Sequence, residues 1–276
     1  MRVTLHGVRG STPAPGAAFV RTGGHTSCVS VTVRGETAPG LVLDAGTGLA
    51  NLTALLGGAP YRGDLVLSHL HWDHVQGLPF FRSGDVDGAD VRLWLPAQSV
   101  AAPDVPGSAA TLLRRAMSPP HFPIGPEGLA GRWRFGARDA GWFEAGGARV
   151  RLADIAHKGG RTFGIRVEAD GVSLAYLPDH DAAADDGAAA DLADGVDVLL
   201  HDAQFTDGER YWATAYGHAT AGDAIALAVQ ARVGRLVLIH HAPTRPDDEA
   251  DELASKHAAA APLPVVVGRE NDVLEL

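Results

Sequence analysis

The stretch Leu65–Phe81, LVLSHLHWDHVQGLPFF, decides the reading of this chain. His69, His71, Asp73 and His74 crowd together directly after an apolar run, and another apolar run follows them. Those flanks seat the cluster against a core, which a surface histidine patch does not require. Imidazoles beside a carboxylate suit Zn²⁺, Mn²⁺ or Fe²⁺ better than Ca²⁺ or Mg²⁺, which prefer oxygen. If the strand runs on through His71, then His69 and His71 point the same way, with Asp73 and His74 on the turn after it. One metal would use three or four of these groups. A pair of metals needs about three each and a bridge, so other residues must contribute. Asp179, His157, His240 and His201 are the natural supply.

The same ending recurs along the chain. LVLDAGTG ends its apolar run on Asp44, LAYLPDHD on Asp179, VLLHDAQ on His201 and Asp202, and LVLIHHAP on His240 and His241. One polar residue after a strand means only that the strand has left the core. Five strands ending in Asp or His point to a shared cleft, because layered α/β folds gather functional groups at the carboxyl edge of their strands. GHTSCVSVTVRG alternates around Val29, Val31 and Val33. The segment 147–179 holds two or three strands, with a hairpin turn at Ala169-Asp170-Gly171. Antiparallel pairs of this kind suit two mixed sheets packed face to face with helices outside. Strands ending in Asp or His in both halves hint at a pseudo-twofold arrangement.

Two helices are legible. One runs from Ala221 to Arg232, with Thr220 and Asp223 at capping-box spacing and Gly234 to stop it. The other runs from Asp247 to His257, acidic at its start and basic at its end, as the helix dipole favours. The Ala/Asp-rich segment 182–195 reads as a solvated loop or a short surface helix. The Pro- and Gly-rich region Gly84–Gly141, including MSPPHFPIGPEG, reads as a cap beside the cleft. There His121 and Phe122 either line a substrate pocket or pack the cap. His25, in the Gly-rich turn GGHTSC, is read as structural, at the cleft rim.

The 276 residues, 46% hydrophobic, suffice for one large domain or two small ones. No linker divides them, so a single domain over 1–276 is expected. Lys+Arg is 23 against Asp+Glu 33, a formal charge of -10, which argues against long nucleic acids as partners. Bound cations could still make one pocket positive. The single cysteine, Cys28, excludes an internal disulfide and a Cys-rich zinc site, and reads as a small buried hydrophobe. No secretory h-region and no apolar run approaching a membrane span are seen, so the expected location is the cytoplasm, with no membrane partner. Apolar cap surface is compatible with a homodimer.

HLHWDH matches the H-x-H-x-D-H signature of the metallo-β-lactamase fold superfamily, and the resemblance extends in order from GVRGSTP to LVLIHHAP, nearly the whole chain. It implies a four-layer αββα sandwich with a dinuclear metal site at its edge. Carried over, His69, His71 and His157 would bind one metal, and Asp73, His74 and His240 the second. Asp179 would bridge both with a water or hydroxide. His240 is preferred to His241 from its place at the strand ending. Asp44 resembles the acidic residue behind the metal loop and would orient a ligand, a plain turn aspartate being the alternative. The metals implied are two divalent ions, zinc first, with manganese or iron open.

Within the superfamily the chain looks most like the phosphodiesterase branch, which includes the tRNA 3′-end endonucleases (tRNase Z) and phosphoribosyl cyclic phosphodiesterases. HDAQF resembles the endonuclease stretch H-E-A-T-F, and GHATAGDAIALA resembles its H-S-T-A helix start. By that likeness Asp202 orients His218, the general acid, unless His218 merely flanks a helix. Asp stands where the branch has Glu, so its reach is shorter. The RNA-clamping arm has no room, since only 22 positions separate His157 from Asp179 (179 − 157). One cysteine excludes the second, Cys-containing metal site of the phosphonate-pathway enzymes. The resemblance therefore implies hydrolysis of a small or cyclic phosphodiester by a metal-bridging hydroxide, with Asp73 counted among the catalytic residues. The rival classes are a hydrolase of a lactone, thioester, lactam or sulfate ester on the same site, and a non-catalytic metal or ligand sensor.

Overall fold

The computed structural model describes residues 1–98 and 108–276. The apolar runs form strands in two sheets. The first sheet takes β1 (Arg2–Gly7), β2 (Cys28–Thr32), β3 (Leu41–Leu43), β4 (Arg62–Val66), β5 (Asp90–Pro96) and β6 (Arg132–Arg138). The second takes β7 (Gly141–Ala145), β8 (Ala148–Ile155), β9 (Thr162–Ala169), β10 (Val172–Leu177), β11 (Val198–Asp202), β12 (Leu236–Ile239) and β13 (Val265–Val267). A last strand, β14 (Val273–Glu275), returns to the first sheet beside β1.

The orders are β14-β1-β2-β3-β4-β5-β6 and β13-β12-β11-β10-β9-β8-β7. From β14 to β3 and from β7 to β10 every pairing is antiparallel. From β3 to β6 and from β10 to β13 every pairing is parallel. Each sheet thus repeats the other, β3 answering β10 and β4 answering β11, as the pseudo-twofold hint anticipates. The two-residue turn between β9 and β10 falls at Asp170 and Gly171, both at positive φ, with Ala169 paired to Val172.

Period-two alternation explains why these strands are apolar throughout. Leu174, Tyr176, Leu200, Val237 and Ile239 face the first sheet in the central core. Their neighbours Ala175, Leu177, Leu199, Leu236 and Leu238 face outward, into a cluster with residues of α4 (Ala188–Ala193), α6 (Ala221–Gln230) and α7 (Asp247–Ala260). A third cluster lies outside the first sheet, under α1 (Leu49–Leu55), α2 (Trp72–Val75) and α3 (Ser108–Leu113). Three apolar layers separate four structural layers, the expected αββα sandwich. Another helix, α5 (Arg210–Tyr216), precedes the His218 turn. Among the described residues no helix is long and apolar enough to cross a membrane.

Several expectations need correction. β4 ends at Val66, so His69 and His71 stand in the loop beyond it; their rings converge through that loop and not through strand alternation. Asp73 and His74 sit on the single helical turn α2, not on a plain turn. Segment 182–195 is not simply solvated. The short-helix alternative holds there, and Ala189, Leu192 and Ala193 of α4 are fully buried, because a face of two alanines and a leucine can lie flat on the outer face of the second sheet. Region 84–141 is only partly a cap. Val91, Leu93 and Leu95 alternate as buried positions of β5 facing the outer helices, and β6 pairs beside it, so both strands belong to the first sheet; residues 99–107 of this region lie outside the described residues. The capping box at Thr220 and Asp223 is present, but α6 stops at Gln230, and the chain turns off through Arg232 at φ 55 before reaching Gly234. The last helix runs on past His257 to Ala260.

Candidate metal centre

The parallel halves of both sheets deliver their carboxyl ends to one edge, where seven side chains converge. Asp179, two residues past β10, stands in the middle. Its Oδ2 lies 3.6 Å from His69 Nε2 and 3.4 Å from His157 Nε2, which is itself 3.3 Å from His71 Nδ1. Its Oδ1 lies 3.0 Å from His74 Nε2 and 3.2 Å from His240 Nε2. Asp73 Oδ2 closes the second set, 3.3 Å from His74 Nε2 and 3.2 Å from His240 Nε2. One carboxylate oxygen therefore faces each histidine set.

The ring tautomers can be traced from their outer partners. His74 Nδ1 donates to Asp44 Oδ2 at 2.8 Å, and His157 Nδ1 donates to the Gly217 carbonyl at 2.6 Å. Ser68 Oγ donates to Asp44 Oδ2, so His69 Nδ1 donates to Ser68 Oγ. In all three rings the proton is turned outward and Nε2 is left bare toward the cluster. Asp44 is wholly buried and accepts also from Ser68 N and the Tyr176 hydroxyl. A plain turn aspartate would make none of these contacts.

Backbone constraints hold the rings. Asp44 and His240 both sit at positive φ, 60° and 57°, where their strands break off into the cleft. A Cβ on Gly10 would lie 2.5 Å from the His240 ring, and one on Gly159 would lie 2.6 Å from His71 Nε2. The Ser11 amide donates to Asp73 Oδ2 at 2.6 Å.

A divalent metal fits this donor set. His69 Nε2, His74 Nε2 and Asp179 Oδ1 are buried polar atoms with no hydrogen-bond partner among the described residues, an arrangement costly unless a cation satisfies it. His69, His71, His157 and Asp179 form one group able to hold an ion, and Asp73, His74 and His240 another, with donor atoms inside each group within 4.8 Å of one another. Asp179, His218 and His240 meet the same criterion. Without the ion, burial drives the pKa of His69 down, and His74 adds to it. Burial opposes charge on His74 too, but Asp179, Asp73 and Asp44 outweigh it and raise that ring well above its ordinary value. Burial would raise Asp179, yet His240, His74 and His69 hold it well below the usual carboxylate range.

Beside the cluster stands a second unit. His218 Nδ1 donates to Asp202 Oδ2 at 2.9 Å and lies 3.9 Å from Asp179 Oδ2. Asp202 is fully buried and accepts also from the amides of His180, Ala219 and Gln204. Burial opposes charge on His218, but Asp202 prevails and lifts its pKa to about 9. The shorter Asp side chain therefore does reach His218.

His240 turns into the cluster, whereas His241 bonds the Gly268 carbonyl, and burial lowers its pKa to about 3. His201 is not brought to the cluster. Its Nδ1 donates to its neighbour's carbonyl, and its Nε2 accepts from His180 Nδ1, so it supports the strand end from behind. His25 is half-buried and takes part through its backbone, its carbonyl accepting the Val8 and Arg9 amides. His121 and Phe122 line an apolar chamber next to the cleft, away from the cluster. The sequence reading misses Tyr176, Ser68, Ser11 and His180. Only His180, adjacent to Asp179, carried a signal, a second histidine in PDHD.

Residues 41–241 match the family described as the β-lactamase superfamily domain. The chain belongs to the β-lactamase superfamily. Among curated relatives, the Ribonuclease Z of Halalkalibacterium halodurans is 47% identical over 65 residues, 24% of this chain and 21% of that enzyme, so the match spans about a fifth of its length. Among solved structures, the metallo-β-lactamase fold protein YhfI of Bacillus subtilis superposes with a TM-score of 0.72 at 17% identity, covering 99% of each chain. A diphosphatase of the PhnP family gives 0.70 at 17%, covering 100% of this chain and 97% of its own. Zinc-bound PqqB of Methylobacterium extorquens gives 0.72 at 21%, covering both chains fully. These structures share the metallo-β-lactamase sandwich. Superfamily membership and the donor groups agree on a metal-dependent hydrolase as the coarse reading.

Proposed function

We propose that this protein is a metal-dependent phosphodiesterase acting on a small or cyclic phosphodiester. The observation that carries the proposal is the Asp202–His218 pair, set 3.9 Å from the central Asp179. Hydrolysis of a carbonyl compound has less need of an acid placed for an alkoxide leaving group. A phosphodiester needs both an activated water and a proton for the alkoxide. The Ribonuclease Z likeness and the diphosphatase fold neighbour support the same class.

His69, His71, His157 and Asp179 would hold one cation, and Asp73, His74, His240 and Asp179 the second, zinc by the imidazole-rich set. Such ions lower the pKa of a water and draw charge from a phosphoryl oxygen. The chain does the rest. Asp44 and Ser68 keep the inner nitrogens of His74 and His69 bare. The Ser11 amide holds Asp73 in place. Asp202 accepts the hydrogen bond from His218 Nδ1–H, leaving Nε2 to carry the proton given to the departing alkoxide. The acidic chain and the short span between His157 and Asp179 favour a small substrate in the cytoplasm over a long RNA. The whole chain is read as one domain.

The test is a leaving-group series of phosphodiesters on zinc-reconstituted wild type and His218→Ala. Loss of turnover should be small for p-nitrophenyl esters and about 100-fold or more for alkyl esters. Equal loss across the series would refute His218 as the acid.

A further inference from the structure

Beside the metal cleft lies an apolar chamber of about 470 Å³, whose walls include Trp72, Val75, Phe80, Met117, Phe122 and Phe135. It occupies the face of α2 opposite Asp73 and His74. Trp72 lines this chamber and also the cleft that holds Asp73, Asp179 and His218. Arg115 lines the chamber and also a smaller hollow walled by His69 and His71. The chamber therefore adjoins the hollows around the histidine cluster on two sides, across Trp72 and Arg115.

Its chemistry is specific. Phe80 and Phe122 meet edge to face at 5.7 Å, yet Phe80 is 65% exposed and Trp72 is 77% exposed. Aromatic surface left exposed to that extent beside a cleft marks a binding face. Arg114 is paired with Glu127, whereas the Arg115 guanidinium has no hydrogen bond or ion pair among the described residues. An aromatic-walled chamber with one uncommitted guanidinium, on the side of a phosphate site, suits a flat ring joined to an anion. We propose that this chamber binds an aromatic substituent of the phosphodiester, an aryl group or nucleobase, with Arg115 on its phosphate side. The inference rests on the phosphodiesterase reading and narrows its substrate class.

The test compares phenyl phosphate with methyl phosphate as ligands of the zinc-loaded protein by calorimetry. It also compares the phenyl and methyl esters of p-nitrophenyl phosphate as substrates. Phenyl phosphate should bind about tenfold more tightly or better, and kcat/KM should favour the phenyl diester by a similar factor. Ala116→Trp, on the chamber wall, should bring both ratios toward one. Arg115→Ala should weaken both ligands alike. Equal binding, or equal kcat/KM for the two diesters, would overturn the chamber assignment while leaving the phosphodiesterase reading intact. A phenyl preference in binding without hydrolysis of either diester would keep the chamber and refute the phosphodiesterase reading. A solution dimer that Ala116→Trp dissociates, without change in either ratio, would assign this face to a second copy of the chain and overturn the proposal.

Discussion

Asp44→Asn is a sharp perturbation of this protein because it leaves the backbone alone. Asp44 sits at φ 60, a region asparagine also tolerates. The exchange conserves shape and removes only the charge and one acceptor. Oδ1 can still accept the Ser68 amide at 2.7 Å. Oδ2 now accepts from three groups, His74 Nδ1 at 2.8 Å, Ser68 Oγ at 2.9 Å and the Tyr176 hydroxyl at 2.9 Å. An amide NH₂ there faces donors with donors. The two hydroxyls can rotate, but the imidazole can respond only by moving its proton from Nδ1 to Nε2. That nitrogen faces Asp179 and Asp73, so the lone pair offered to a cation is lost. Removing such an outer partner costs about 10–100-fold in metal affinity, or about 1.4–2.7 kcal/mol. The mismatched buried contacts should also cost the metal-free fold about 1–3 kcal/mol. Zinc competition against a chromophoric chelator measures the first, and urea unfolding of metal-free protein the second. Unchanged zinc affinity with a normal fold would refute the tautomer argument.

Two further outcomes follow from the structure. Gly159→Ala strains a backbone held at φ 89 and drives a Cβ toward His71 Nε2; it should weaken zinc binding by about tenfold and cost about 1–3 kcal/mol in urea unfolding. His6 is buried against Ser30, and burial pushes its pKa down from 6.5 to about 4. Because the folded value is depressed, the unfolded chain binds the proton first. The contribution is whole above pH 6.5 and is lost as pH falls toward 4, about 2 kcal/mol being gone at pH 5. Between pH 7 and pH 5, urea melts should show the wild type losing about 2 kcal/mol more stability than His6→Gln.

Much of the centre is legible in the sequence because strands announce their ends. An apolar run stopping at Asp or His marks a carboxyl edge, and the parallel halves of both sheets put those edges together. The dense motif at His69–His74 adds chemistry to position. What stays hidden depends on where a chain goes after its strand. His69 and His71 leave β4 before they converge, so alternation says nothing true about them. His201 ends β11 just as His240 follows β12, yet it turns behind the cleft to His180. Tyr176 looks like one more core residue of β10 until its hydroxyl is found on Asp44. The strands β5 and β6 alternate clearly, but a Pro- and Gly-rich average over their surroundings conceals them. Helix α4 stays undecided between loop and short helix in the sequence because alanine marks no face.

The measurement that bears most directly on the central claim is hydrolysis of bis(p-nitrophenyl) phosphate by metal-stripped protein titrated with Zn²⁺, and in parallel with Mn²⁺ and Fe²⁺. The two donor groups on either side of Asp179 predict no turnover without metal, and activity that climbs and levels off near two equivalents. Full loading confirmed by elemental analysis, with no release of nitrophenolate for any metal, would contradict the phosphodiesterase assignment.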